Sequence, residues 1–271
     1  MRAYYCDHFV LPLPDRHRFP MRKYRQLREA VVADGVVDRD DLRVPEAAAR
    51  DDLLRAHDAD YVARVFAGTL AACRAARRDG CAVNLAGGTH HAGPDHGEGF
   101  CVFNDAAVAA RTLQANGEAT QVLIVDCDVH QGNGTASIFR DDPSVFTLSL
   151  HGRRNFPFRK STSDLDVAFE DDTGDDVYLA ALDDALDQAL TRAAADLVIY
   201  IAGADPFAGD RLGRLALSKA GLAARDRRVI DRCRDADLPV AVAMAGGYAP
   251  DIQDIVDIHL ATVRAARRRA R

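Results

Sequence analysis

The 271-residue chain is 48% hydrophobic and 28% charged, the composition of a folded globular protein rather than a disordered one. No apolar run approaches the roughly 20 residues of a membrane span, and the opening MRAYYCDHFVLPLPDRHRF mixes charge and proline into its apolar part, unlike a secretory leader. A net charge of −6 argues against nucleic acid as a specific partner. Residues 20–34, 46–57 and 58–78 carry helical spacing. After them come five short, continuously apolar, β-rich runs at 81–86, 121–125, 145–149, 197–202 and 239–244. Such runs suit strands buried on both faces. Helical segments at 104–116, 175–195, 218–236 and 251–269 separate or follow them, with Asp175, Ser218 and Asp251 as candidate N-terminal residues.

This β-α alternation predicts an α/β fold: one domain over 1–271 with a mainly parallel sheet and helices on both faces. The six cysteines, Cys6, Cys73, Cys81, Cys101, Cys127 and Cys233, have no framework spacing and read as reduced thiols of a cytoplasmic protein. The only lysines are Lys23, Lys160 and Lys219, and the terminal RAARRRAR reads as a solvated helix end.

In a parallel sheet, ligands bind beyond the carboxyl ends of the strands. The unusual polar strings fall there: GGTHHAGPDHGEGF, DCDVHQGNG, SLH, AGADPFAGD and AGGY each follow one strand. Residues two apart leaving a strand point the same way, so Asp128 and His130 can bind one cation. The pair would equally suit a capping aspartate and a surface histidine. Asp205, at the matching place after another strand, supplies a third ligand. Two carboxylates and an imidazole suit Zn²⁺, with Fe²⁺ as the alternative, and leave positions open. His90 and His91 fit proton transfer beside such a metal. Tyr248, after two glycines, reads either as a donor to an oxyanion or as core packing.

These strings, with IVDCDVHQGNGT, TLSLH, AGADPFAGDRLGRLALSKAGLAARD and AMAGGY, appear in family order from about residue 5 to 262. The chain resembles the zinc-dependent histone deacetylase family, within the arginase–deacetylase fold, and is most similar to its class IV branch and bacterial relatives. The resemblance implies that Asp128, His130 and Asp205 bind zinc, that His91 is the general base and acid with His90 beside it, and that Tyr248 polarises the scissile carbonyl. It makes Asp126 the carboxylate that orients His90, and Asp126, Asp128, His130, Ser149 and Leu150 a structural K⁺ or Na⁺ site. Gly99, Phe100 and Phe156 would wall an acyl-lysine tunnel.

Two departures stand out. Asn133 occupies the place where most branches, though not class IV, carry an aspartate. The stretch between Tyr61 and Gly80 is short where larger relatives carry a substrate-gripping loop, so activity on loosely held acyl-lysine is expected. The implied reaction is hydrolysis of the acyl amide of a lysine in a protein or peptide. The runner-up is a small acylated amine such as an acylpolyamine. An arginase-like site with two manganese ions is disfavoured by Gly132, and an inactive acyl-lysine reader by the presence of His90, His91 and Tyr248.

Overall fold

The computed structural model describes residues 1–7, 20, 22–46, 52, 55 and 68–271. Runs of Val, Ile, Leu and Ala have no polar face to leave in water, so they become interior strands. The described strands are β1 (Ala3–Tyr4), β2 (Leu42–Arg43), β3 (Cys81–Asn84), β4 (Val122–Asp126), β5 (Val145–Gly152), β6 (Leu165–Phe169), β7 (Leu197–Ala202) and β8 (Val240–Met244). They form one sheet in the order β2-β1-β3-β8-β7-β4-β5-β6. Every pairing is parallel.

The described α-helices are α1 (Arg22–Ala33), α2 (Gly68–Asp79), α3 (Asp105–Ala115), α4 (Asn133–Phe139), α5 (Asp175–Ala193), α6 (Lys219–Asp235) and α7 (Ile252–Arg269). Alternate strand residues divide between two cores. Leu123, Val125, Val198, Tyr200 and Val242 pack with residues of α1, α5, α6 and α7. Val122, Ile124, Ile199, Ile201 and Ala241 pack with α2, α3 and Phe139 of α4. The expected two-faced parallel sheet is therefore the fold, and no described helix is long and apolar enough to cross a membrane. All six cysteines are free.

Several expectations shift in detail. Strands β1 and β2 are too short to show any period, and β6, at a sheet edge, is interrupted by Asp166, so none reads as a buried apolar run. The expected third strand continues through His151 to Gly152. Helix α4 begins inside a glycine-rich stretch that reads as loop. Ser218 and Asp251 cap α6 and α7, accepting from Gly221 N and Gln253 N at 2.9 Å each. Asp175 is likewise N-terminal, as the first residue of α5 behind Gly174, and its carboxylate accepts from Ser218 N (2.8 Å) and Oγ (2.6 Å). Of the helices expected at 46–57 and 58–78, α2 accounts for 68–79, and nearly all the remainder lies outside the described residues. So do 61–67 of the short stretch before Gly80.

Candidate active site

The histidine pair, the three candidate ligands and Tyr248 stand past the carboxyl ends of strands, where a parallel sheet places its ligands, while Asp126, Ser149 and Leu150 lie within β4 and β5. After β3 the chain must turn sharply to present His90 and His91. Gly87 adopts φ +94, and a Cβ there would sit 2.4 Å from Asp105 Oδ2, so glycine is required on both counts. The Asp105 carboxylate, opening α3, accepts from Gly88 N (3.1 Å) and Thr89 N (2.8 Å) and fixes the turn. Asn104 caps the same helix through Ala107 N and donates to Ala92 O at 3.3 Å.

Asp128 and His130 leave β4, and Asp205 leaves β7 beside it. All three are buried, and one ligand atom from each lies within 4.8 Å of the others. His130 Nδ1 sits 2.9 Å from Asp128 Oδ1 and 3.1 Å from Asp205 Oδ2. The backbone holds the remaining oxygens: Gly246 N donates to Asp128 Oδ2 (2.8 Å) and Val129 N to Asp205 Oδ1 (2.9 Å). A Cβ at Gly246 would fall 1.9 Å from Asp205 Oδ2 and 2.6 Å from Asp128 Oδ2, so only glycine leaves this cradle open. Burial pushes Asp205 up, reinforced by the Asp128 charge. His130 is raised to about 10: burial opposes this, but Asp128 and Asp205 outweigh it. A cluster that grips a proton so firmly between two carboxylates has the charge and donor set of a divalent-cation site.

His90 and His91 lie side by side, ring centroids 4.1 Å apart, yet their surroundings differ. His90 Nδ1 meets Asp126 Oδ2 at 2.6 Å, and its Nε2 is 3.8 Å from Asp128 Oδ1. Burial would lower its pKa, but those carboxylates raise it to about 9. His91 Nδ1 meets only the neutral Asn133 Oδ1, at 2.7 Å. Burial and then the neighbouring His90 hold His91 well below the usual imidazole value. One ring is thus cationic at neutral pH and the other is a neutral base.

Tyr248 stands 6.3 Å, ring to ring, from His130. Burial first, then Asp205 and Asp128, hold its phenol far above the ordinary range, so it remains an O–H donor. Phe156 meets the edge of His91 at 4.9 Å, and Phe100 lies 6.2 Å from Tyr248. Gly99, Phe100 and Phe156, with His91, His130 and Tyr248, line one open cavity of about 730 Å³. Asp126 pairs with Ser149 in the sheet register, and Gly152 N donates to Val129 O (2.9 Å), so Leu150 and the 126–130 turn run alongside each other. All the residues singled out in the sequence therefore converge on one end of the sheet.

The Histone deacetylase domain matches residues 62–263. The chain belongs to the histone deacetylase family. An uncharacterized protein of Picosynechococcus sp. is 42% identical over 97% of both chains. Histone deacetylase 2 of Arabidopsis thaliana is 30% identical over 86% of this chain and 70% of its own. The Histone deacetylase-like amidohydrolase of Pseudomonas aeruginosa is 29% identical over 83% of this chain and 70% of its own. Among solved structures, the HDA15 HD domain matches with a TM-score of 0.83 at 24% identity, covering 98% of this chain and 87% of that one. An acetylpolyamine aminohydrolase from Burkholderia pseudomallei gives 0.78 at 21% identity, covering 97% of each. Both likenesses establish the arginase–deacetylase fold.

Three buried or half-buried groups of this histone deacetylase family member escaped the sequence reading. Arg225 on α6 donates through Nη1 to Cys127 O (3.0 Å) and Gly203 O (2.7 Å), so one guanidinium ties the two turns that carry Asp128 and Asp205. Asp210 accepts from Leu212 N (2.8 Å), Gly213 N (2.9 Å) and Tyr248 N (2.5 Å), fixing the backbone of the tyrosine. Lys23 on α1 donates to Ala245 O (3.2 Å) and lines a second, inner cavity of about 50 Å³ with His90 and Tyr248. Burial lowers it to about 8, against the pull of Asp205, Asp128 and Asp210. A signal existed for two of them. Lys23 falls in phase with Leu27 and Val31, and Arg225 with Leu222 and Val229, so each puts a cation on an apolar stripe.

Proposed function

We propose that this histone deacetylase family hydrolase, as a single catalytic domain, removes an acyl group from the ε-amino group of a lysine, using one divalent metal ion. The observation that carries the reading is a pair of adjacent histidines, His90 backed by the Asp126 carboxylate and His91 by the neutral Asn133 amide, beside the Asp128–His130–Asp205 cluster. An amide is a poor electrophile with a poor leaving group, so its hydrolysis needs a base, an oxyanion stabiliser and then an acid.

The donor set O, N, O and the cradle over Gly246 fit Zn²⁺, with Fe²⁺ as the alternative, held by Asp128, His130 and Asp205. Such an ion, when bound, polarises the acyl carbonyl and makes water more acidic. His91 accepts the proton of the attacking water at Nε2 and returns it to the leaving amine. Asp126 keeps His90 charged and oriented, so the field at His91 favours the neutral ring between turnovers. The Tyr248 hydroxyl donates to the oxygen that gains charge as the tetrahedral centre forms. Gly99, Phe100 and Phe156 flank an aliphatic side chain and exclude water from its amide. Asp126, Asp128, His130, Ser149 and Leu150 are assigned to a structural K⁺ or Na⁺.

The mouth of the cavity bears on the substrate. Arg154, Arg211 and Arg214 line it and are exposed, and Asp171 is the acidic partner of two of them, 3.7 Å from Arg154 and 3.2 Å from Arg214. Glu98 lines the same cavity, so three arginines stand against two carboxylates, and this small cationic excess disfavours a polyamine relative to an acyl-lysine with neutral or acidic surroundings. Acylated small amines are therefore the second reading, supported by the overall likeness to an acetylpolyamine aminohydrolase. The test is a panel of Nε-acetyl- and longer acyl-lysine peptides with acidic, neutral or basic flanks, beside acetylated polyamines. Turnover of the peptides, best with acidic flanks, is expected. Preference for the polyamines would reverse the order of the two readings, and no hydrolysis of any acyl amide by the zinc-loaded protein would end both.

A further inference from the structure

The amide of Asn133 faces His91 on one side and the Glu98 carboxylate on the other. Its Oδ1 lies 2.7 Å from His91 Nδ1, and its Nδ2 donates to Glu98 Oε2 at 2.7 Å. A primary amide alone is ambiguous, since it can turn either its oxygen or its nitrogen towards an imidazole. An ionised carboxylate is not ambiguous, because it only accepts. Glu98 therefore captures the NH₂ end and leaves the carbonyl for His91. A carbonyl only accepts as well, so Nδ1 of His91 must carry the hydrogen, and in a neutral ring the lone pair is then on Nε2.

We infer that Glu98 is a positioning residue for the reaction: acting through Asn133, it fixes the tautomer of His91 in which Nε2 is free to take a proton. This rests on the proposed role of His91 as base. The relay is anchored at both ends. Glu98 N donates to Cys101 O (3.0 Å) and Cys101 N to Glu98 O (2.8 Å), a closed backbone ring that holds the carboxylate in place. Asn133 opens α4, whose Thr135 N donates to His90 O (3.1 Å) and ties the helix to the histidine turn. Glu98 thus supplies direction without placing its charge against the ring.

The test is a charge swap in the full-length, zinc-loaded protein. In Glu98→Gln the side chain at 98 can donate as well as accept, so the Asn133 amide is free to turn over and stabilise the wrong tautomer. kcat on one acetyl-lysine peptide should fall by at least about tenfold, with KM within about twofold. Adding Asn133→Asp to that variant should restore most of kcat, because the amide at 98 then donates to a carboxylate whose other oxygen accepts from His91. Asn133→Asp alone sets two carboxylates in contact and should not match the wild type. Unchanged kcat in Glu98→Gln, or a loss that the double variant does not recover at equal zinc content and melting temperature, would overturn the inference.

A second reading does not depend on turnover. In protein labelled with ¹⁵N at histidine, and assigned through a His91 variant, the wild-type His91 spectrum should show protonated Nδ1 and unprotonated Nε2. The opposite pattern would overturn the inference even if Glu98→Gln failed to fold. Failure of the wild type to cleave acyl-lysine would count against the proposed function and leave this tautomer test intact.

Discussion

Adjacent histidines in one turn acquire opposite protonation from what stands behind them: two carboxylates for His90, a neutral amide for His91. The sign of the pH dependence follows. His91 is depressed below its ordinary value of 6.5 by burial and by the His90 charge, so it stays a neutral base as pH falls through 6.5. A bound divalent cation pushes in the same direction. The acidic limb of kcat/KM is therefore expected below pH 6.5, and a limb clearly above it would mean that a carboxylate, not Asn133, governs the ring. Tyr248 makes an independent contribution. With its phenol held protonated, Tyr248→Phe removes one donor to the oxyanion, and kcat should fall about 10²–10³-fold, with zinc content and melting temperature unchanged. Near-normal turnover would return Tyr248 to the packing role that the sequence also allowed.

At the scale of elements, α6 braces the site from behind. Arg225 and Asp226 are both fully buried, and Asp226 also accepts from Tyr200 Oη (2.6 Å) and Thr262 Oγ1 (2.5 Å). Removing one member of a buried pair strands the other. Arg225→Met should lower stability by about 3–5 kcal/mol, read from the denaturant midpoint. Adding Asp226→Asn should recover part of that, because the uncharged amide can accept from Tyr200 Oη through its oxygen and donate to Thr262 Oγ1 through its nitrogen. Additive losses would show that the two residues do not act as a pair.

These braces also mark the limit of what the sequence discloses. Asp128, His130, Asp205, His90, His91 and Tyr248 were legible because strand ends of a parallel sheet must meet, and polar residues at such ends are conspicuous. Arg225 sits mid-helix and Lys23 in the first turn of α1, both among arginines that mostly face water, and only their phase with apolar neighbours separates them. Glu98 is one acid in a glycine-rich loop, and nothing in its spacing points across to α4. Strand β6 escapes a search for continuous apolar runs because Asp166 interrupts it at the sheet edge. The sequence shows Asn133 only where most branches carry an aspartate; the structure adds the carboxylate on its far side.

At the scale of the molecule, the described parallel strands gather three ligands, two histidines and a tyrosine from β3, β4, β7 and β8 at one edge of the core. The metal-free cluster holds a proton on His130, raised to about 10 by Asp128 and Asp205 against burial. A metal must displace that proton, so zinc uptake at pH 7 should release protons and zinc affinity should rise with pH up to about that value. Titrating zinc into the metal-stripped protein, while following both proton release and hydrolysis of an Nε-acetyl-lysine peptide, tests the central claim most directly. Activity should be absent at the start, rise in step with proton release, and saturate at one zinc per chain. Hydrolysis by the stripped protein, or saturation only at two ions per chain, would contradict a single-metal amide hydrolase built on Asp128, His130 and Asp205.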